Sequence, residues 1–404
     1  MQFSHYPSRS QIPAEHLSKI NELREALGSE LIEKAWFFND DFSMLRWLYG
    51  YDFNIRTLVK DIAPSIVPNF EQAVCVLNAV NLDEHSKACD EEGDINLYIK
   101  NLKPWTEYFP GGIMCFDREG NVVYVMSCQK VHPRSLVKCA PISDLFKVFM
   151  IEVGLAYLQI RKNEEKFDTK LGLKMIVDMA GFHKDLLYPP TLKVFINLLK
   201  LMQDVFCDFA RNLFVINAPF IMPSIYSMVK PVLSKQTQEK ITFLSTDFSK
   251  VLCENIGAEN IFVKYGGILM PSGENKETGN LRMGGIAPDS LMYQSEENPF
   301  HPKESSLTKL SVSARHKKEI KISVNSPNSK LNWFFIANND IDFYIQKDGK
   351  DVWPKFRLPT EWVPEWGSMI CEDPGEYSFI FDNSYGTLFS KEVKYYIYVS
   401  NEMP

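Results

Sequence analysis

The sequence predicts a multi-domain chain, α/β plus all-β: an N-terminal helical bundle, a central α/β domain with a mainly parallel sheet, and a C-terminal β-sandwich. Three observations predict it. Apolar residues recur at helical spacing near the start of the chain. Short apolar runs alternate with long amphipathic stretches through the middle. Period-two runs separated by turn residues fill the end. The expected boundaries are 1–80 for the helical region, 81–270 for the α/β domain, 271–306 for a linker and 307–404 for the sandwich.

Leu17, Ile20, Leu23, Leu27 and Leu31 lie three or four residues apart, which gives one apolar face to a helix over 14–35. Asp40 and Asp41 offer an N-cap to a short helix carrying Phe42, Met44, Leu45, Trp47 and Leu48. A carboxylate there accepts from backbone N–H groups that the first turn leaves unpaired. Asp52 is placed to cap a third helix. Residues 104–112 read as a break, 117–120 (Asp-Arg-Glu-Gly) as a turn and 121–126 as the strand after it. Residues 144–160 and 191–209 have helical period, and 173–177, 213–216 and 241–244 are apolar runs of strand length; 248–256 is again helical. Strands that alternate with helices are joined by crossovers, which makes the sheet mainly parallel.

Beyond residue 270 the chain turns polar and irregular, with Pro271-Ser-Gly, Gly284-Gly285 and Glu296-Glu-Asn-Pro-Phe-His-Pro, the texture of a linker or a long connection. Runs at 319–324, 331–337, 341–346, 376–381 and 393–399 then read as strands, with a hairpin signal at Lys347-Asp-Gly-Lys350. Short strands with turn signals and little helix read as a sandwich.

Composition removes some function classes. A net charge of -7 argues against a nucleic-acid binder, since a phosphate backbone wants a basic surface. No stretch approaches ~18 uninterrupted apolar residues, so no bilayer span is expected. The polar first residues lack an apolar leader core, and the 8 cysteines form no CxxC pair. They read as reduced thiols, and the expected compartment is cytoplasmic.

Catalytic signatures are missing: no G-x-S-x-G elbow, Walker A loop, H-E-x-x-H or dinucleotide-binding glycine fingerprint. His85 with Cys89 and Cys128 with His132 lie four residues apart, a spacing that suits two metal ligands on a helix face, but neither pair has a second pair beside it. Asp178 follows a buried-looking strand, where α/β enzymes place chemistry. Its other reading is as a cap for the next turn, and no nucleophile or base is paired with it. Cys207 and Cys253 read as packing residues. The glycine pairs 111–112 and 266–267 read as places of close backbone approach. The expectation is therefore no enzyme, no metal and no cofactor.

The segment Asn217-Ala-Pro-Phe-Ile-Met-Pro-Ser-Ile-Tyr-Ser-Met-Val-Lys-Pro-Val-Leu233 lies between two strands, is broken by 3 prolines and has no polar stripe. A solvent-facing helix needs one. The segment therefore covers something apolar, either the protein's own core or a ligand.

Several motifs in order resemble the CRAL-TRIO lipid-transfer family. They are Asp41-Phe-Ser-Met-Leu-Arg-Trp-Leu with Asp52-Phe-Asn-Ile, Tyr108-Phe-Pro-Gly-Gly, Asp117-Arg-Glu-Gly-Asn-Val-Val-Tyr, Asp178-Met-Ala-Gly, Asn217-Ala-Pro-Phe with Val229-Lys-Pro and Lys240-Ile, and Lys264-Tyr-Gly-Gly. Leu331-Asn-Trp-Phe-Phe, Asp340-Ile-Asp-Phe, Asp373-Pro-Gly-Glu-Tyr and Phe381-Asp-Asn-Ser resemble a GOLD domain. The resemblance implies an apolar pocket over the sheet, closed by a mobile helical gate that matches 220–233. A soluble protein of this kind, with transient peripheral membrane association, would carry a phospholipid, tocopherol or isoprenoid between membranes without covalent chemistry. The expected pocket and gate residues are Met175, Val177, Phe195, Leu199, Phe214, Ile216, Phe220, Ile225, Met228 and Val229. Phosphatidylinositol-binding members have Tyr-Pro-Glu where this chain has Phe206-Cys207-Asp208, a lysine matching Lys240, and a basic residue where this chain has Tyr51. Asp208, Lys240 and Tyr51 are thus the candidate headgroup contacts, with one cation and the proline absent. The GOLD-like module would bind a protein or a membrane. A scaffold or lipid sensor is the alternative function, and a hydrolase using Asp178 a third.

Overall fold

The computed structural model describes residues 4–51, 65–273 and 275–400. The first predicted helix forms as two, α1 (Ala14–Leu27) and α2 (Ser29–Lys34), because Gly28 between them takes φ 76°. In α3 (Asp41–Gly50) Asp40 is the N-cap, accepting from the backbone N–H of Ser43 at 2.9 Å. Asp52 and the motif that follows it lie outside the described residues. The helical region continues through α4 (Ile66–Ala79), α5 (Leu82–Glu92) and α6 (Ile95–Leu102), past the expected boundary at 80. Only Leu82 and Cys89 of α5 are buried, so its polar surface hid its period.

The central sheet contains β1 (Gly112–Phe116), β2 (Val122–Ser127), β4 (Leu173–Asp178), β5 (Ala210–Ile216) and β6 (Ile241–Phe243), in the order β1-β2-β4-β5-β6. The β1–β2 pair is antiparallel and the rest are parallel. A separate parallel pair joins β3 (Lys130–Val131) to β7 (Gly284–Gly285). Strand β1 begins at Gly112, the last residue of the expected break, and lies at the sheet edge. Between the strands run α7 (Pro133–Leu136), α8 (Ile142–Phe167), α9 (Pro189–Val205), α10 (Met222–Val229), α11 (Lys235–Glu239) and α12 (Phe248–Ile256).

Connection 271–306 is not a free linker. Arg282 is fully buried and donates two hydrogen bonds to the buried Glu152 of α8, at 2.6 and 2.7 Å, while its backbone N–H donates to Gly111 O at 3.1 Å. The two buried ions are paired through Arg282 Nη2 and supported by further bonds, Nε to Phe109 O at 2.9 Å and Tyr124 Oη to Glu152 at 3.1 Å.

The last domain is a sandwich of two four-stranded antiparallel sheets. One holds β13 (Glu365–Cys371), β10 (Ser329–Ala337), β15 (Lys391–Ser400) and β8 (Thr308–Val312). The other holds β12 (Lys350–Leu358), β11 (Ile341–Lys347), β14 (Gly375–Asp382) and β9 (Lys317–Val324). Trp333, Phe335, Phe343, Phe379 and Phe381 fill the space between them. The predicted hairpin forms, with Asp348 at φ 51° and Gly349 at 77°. Gly367 is required by packing, since a Cβ there would stand 2.4 Å from the Trp333 ring. The sandwich docks on the helices: Phe146 of α8 meets Phe356 edge-on at 5.8 Å, and Ser143 donates to Glu365 at 2.6 Å.

Candidate lipid site

The two faces of the central sheet are covered unequally. Side chains alternate along a strand. Val123, Val125, Ile176, Phe214 and Ile216 all point to one face and are fully buried against Leu252 and Ile256 of α12. On the other face the register aligns Met126 with Val177 and Val177 with Val215, and Met175 with Leu213. Met126, Met175, Val177, Leu213 and Ile241 are only half-buried there.

Helix α10 lies over this second face. It is touched chiefly through Ile225, which packs with Val215, Met179 and Cys128, and through Met222 beside Leu186 and Leu187. Apolar surface is left bare here: Phe220, just before the helix, is 100% exposed, and Met228 within it is 46% exposed. Phe195 and Leu199 of α9, Leu213 of β5 and Val229 of α10 are half-buried yet belong to none of the core clusters among the described residues. These side chains are apolar, partly exposed, and carried by β5, α9 and α10.

The segment that carries α10 is hung between two differently built anchors. At its start Asn217 takes φ 52° and its side-chain amide donates to Asp178 Oδ1 at 2.7 Å. Asp178 is buried and also accepts from the backbone N–H of Ala180 at 3.0 Å. Asp178 is therefore the cap of the Asp178–Gly181 turn and the latch for Asn217. At its end the side chain of Gln203 donates to Val232 O and accepts from Ser234 N at 2.9 Å.

The opposite edge of the sheet holds a buried charge cluster. Lys170, Asp208 and Lys240 each stand just before a parallel strand. Asp208 accepts from Lys170 at 2.7 Å, from Lys240 at 2.8 Å and from His5 at 2.8 Å. Burial alone would push the Asp208 carboxyl up, but Lys170, His5 and Lys240 outweigh it and hold the group well below its ordinary range. Burial pushes the Lys170 ammonium down to about 8, and lowers the His5 imidazole. Lys170 and Asp208 have side chains of 0% exposure.

Comparison with known proteins fits this geometry. The CRAL/TRIO domain model matches residues 106–267. That stretch is a CRAL/TRIO domain. Protein ctg-1 of Caenorhabditis elegans is 26% identical over 328 residues, covering 75% of this chain and 83% of its own. CRAL-TRIO domain-containing protein F28H7.8 of the same organism is 20% identical over 354 residues, covering 84% and 80%. Protein real-time of Drosophila melanogaster is 22% identical over 242 residues, covering 59% of this chain and 34% of its own length. CRAL/TRIO domains bind lipids, so lipid binding in general is the activity the domain brings.

Within the CRAL/TRIO domain the expected pocket residues divide. Met175 and Val177 lie on the second strand face, Phe195 and Leu199 on α9, and Ile225 and Val229 on α10. Phe214 and Ile216 lie on the opposite face, and this is a correction: strand alternation turns them to α12. Phe220, just before α10, and Met228 within it are exposed. The candidate headgroup contacts are not assembled into one site. Asp208 and Lys240 satisfy each other, and Lys240 also donates to Ala210 O. Tyr51 stacks on Trp47 at 5.9 Å with 11° between rings. Sequence reasoning missed His5, Lys170 and Gln203. Lys170 pairs with Asp208 across 38 residues, a partnership no local pattern signals.

The remaining candidates carry packing roles. Burial pushes the Cys207 thiol up, and Cys253 Sγ faces Gly266 O at 3.5 Å. Gly266 and Gly267 permit the approach of Ser249 and of Ile261 O, which a Cβ would meet at 2.2 and 2.1 Å. Cys128 lies by Met179, and His132 by His183 with ring centroids 5.4 Å apart. No group of three metal-ligating side chains occurs among the described residues. No helix among them is long and apolar enough to cross a membrane.

Proposed function

We propose that this chain binds one hydrophobic ligand in a crevice between the β4–β5 face and α10, and carries it between membranes. The segment 217–233 would act as the gate, and no covalent chemistry is involved. The observation that carries the reading is α10 itself: no charged residue occurs from Asn217 to Val229, one side meets the half-covered strand face, and the other side is exposed. A segment of that kind suits a lid that faces ligand when shut and lipid when open. A bound acyl chain contributes roughly 0.8 kcal/mol per CH₂, so sixteen carbons supply about 13 kcal/mol before ordering costs. Phospholipid, tocopherol and isoprenoid ligands share this requirement. We read the sandwich as a GOLD domain.

Native mass spectrometry of the purified protein, with extraction of any carried lipid, tests binding; movement of labelled lipid between vesicles tests transfer. Phe220→Asp puts a charge on a fully exposed gate position. It is expected to leave the melting temperature within about 1 °C of wild type, as surface changes do, while cutting transfer severalfold. Protein that carries no lipid and moves none would sink the reading.

A further inference from the structure

We propose that the β14–β15 loop and the β8–β9 turn of the sandwich together form a docking site for an anionic lipid bilayer. The loop ends in two adjacent large apolar residues, Leu388 and Phe389, which are 79% and 80% exposed. It is an ordered tip. The side-chain amide of Asn383, itself fully buried, donates to Phe389 O at 3.0 Å and to Val312 O at 3.1 Å.

The same Asn383 binds the neighbouring turn: its N–H donates to His316 O at 2.9 Å, and its carbonyl accepts from Arg315 N at 3.0 Å. The turn and the start of β9 read Arg315-His-Lys-Lys, all exposed, with Arg315 at φ 64°. Among the described residues, Arg315, Lys317 and Lys318 make no ion pair. In a chain of net charge -7, a local cluster of uncompensated cations beside an apolar tip is a departure from the average surface.

Position supports a membrane over a protein partner. Lys391 and Tyr385, which flank the tip, both donate to Asp340 O. Asp340 in turn pairs with Lys193 of α9 at 2.9 Å. Lys193 is in the first turns of α9, just after Leu186 and Leu187, which pack with Met222 and Ile225 of α10. The apolar tip and the exposed side of α10 are thus tied to the same end of α9. Apolar side chains that insert and cations that meet anionic headgroups are the two components of interfacial binding.

The full chain is tested by co-sedimentation with phosphatidylcholine vesicles, with and without phosphatidylserine. Wild type is expected to bind the phosphatidylserine vesicles and to lose binding as salt rises. The pair Leu388→Ser with Phe389→Ser, and separately Arg315→Glu with Lys318→Glu, should each weaken that binding by about tenfold or more. Circular dichroism and carried lipid should be unchanged in both. Wild-type protein that ignores phosphatidylserine, or folded variants that bind as wild type does, would overturn the proposal. Vesicle binding is read independently of lipid content, so this outcome and failure of the carrier reading are distinguishable.

Discussion

The two edges of the central sheet are made of opposite materials. At the edge where β4, β5 and β6 begin, Lys170, Asp208 and Lys240 form a buried ionic cluster with His5, closed to solvent at Asp208 and Lys170. At the edge where β4 and β5 end, one neutral amide, that of Asn217, holds the start of the exposed segment to Asp178. Buried ion pairs are costly to break because each leaves a stranded charge, whereas one amide–carboxylate hydrogen bond is worth less, about 1.5–3 kcal/mol. On the gate reading proposed above, the first end stays fixed and the second is the one that lets go.

Breaking the fixed end should produce the largest effect. Asp208→Ala leaves Lys170 and Lys240 without a counter-charge, and is expected to lower unfolding stability by about 3–5 kcal/mol, read from the urea midpoint. A loss under about 1 kcal/mol would erase the contrast between the edges.

The seam between helices and sandwich holds a carboxyl with no such partner, and it gives the next largest effect. Burial pushes Glu365 up to about 8, with Lys147 and Ser143 pulling the other way. Its ordinary value is 4.5 and its folded value is higher, so its contribution is fully present below the ordinary value and is lost as pH rises through the folded one. Wild-type stability should therefore fall from about pH 5 to about pH 8.5 relative to Glu365→Gln, by on the order of 4 kcal/mol. Parallel pH profiles for the two proteins would show that this carboxyl is not strained by the seam.

The same contrast explains what was legible in the sequence. Periodicity located β2, β4, β5, β6, α8, α9 and α12, because each has its apolar side chains on one face or in one run. It also identified the unusual segment 217–233, whose low charge, with Lys230 its single charged residue, is a local property. It could not divide Met175 and Val177 from Phe214 and Ile216, because the choice of buried face depends on where α12 packs. Strands β8 and β13 escaped notice: β8 is a largely exposed edge strand, and β13 contains Gly367, which takes its reason from Trp333 on another strand. The charge cluster was hidden for the same reason. Asp208 and Lys240 were marked only by resemblance, and their true partners, His5 and Lys170, are distant in sequence. Local chemistry reads out from local sequence; pairings made by topology do not.

The smallest predicted change is at the releasable edge, where it is the most informative about motion. Asn217 adopts a left-handed backbone, which glycine takes without cost. Asn217→Gly therefore keeps the turn and deletes only the bond to Asp178. Stability should fall by about 1.5–3 kcal/mol, the usual worth of a hydrogen bond to a charged group. Amide hydrogen exchange should quicken across 217–233 and stay unchanged in β4 and β5, with faster release of carried lipid. Asn217→Ala adds backbone strain of about 1–2 kcal/mol to the same lost bond, so it should be the less stable of the two. If exchange instead quickens equally around Lys170 and Asp208, the edges are one cooperative unit. The segment would then be ordinary structure, and its exposed apolar side would need another explanation than a gate.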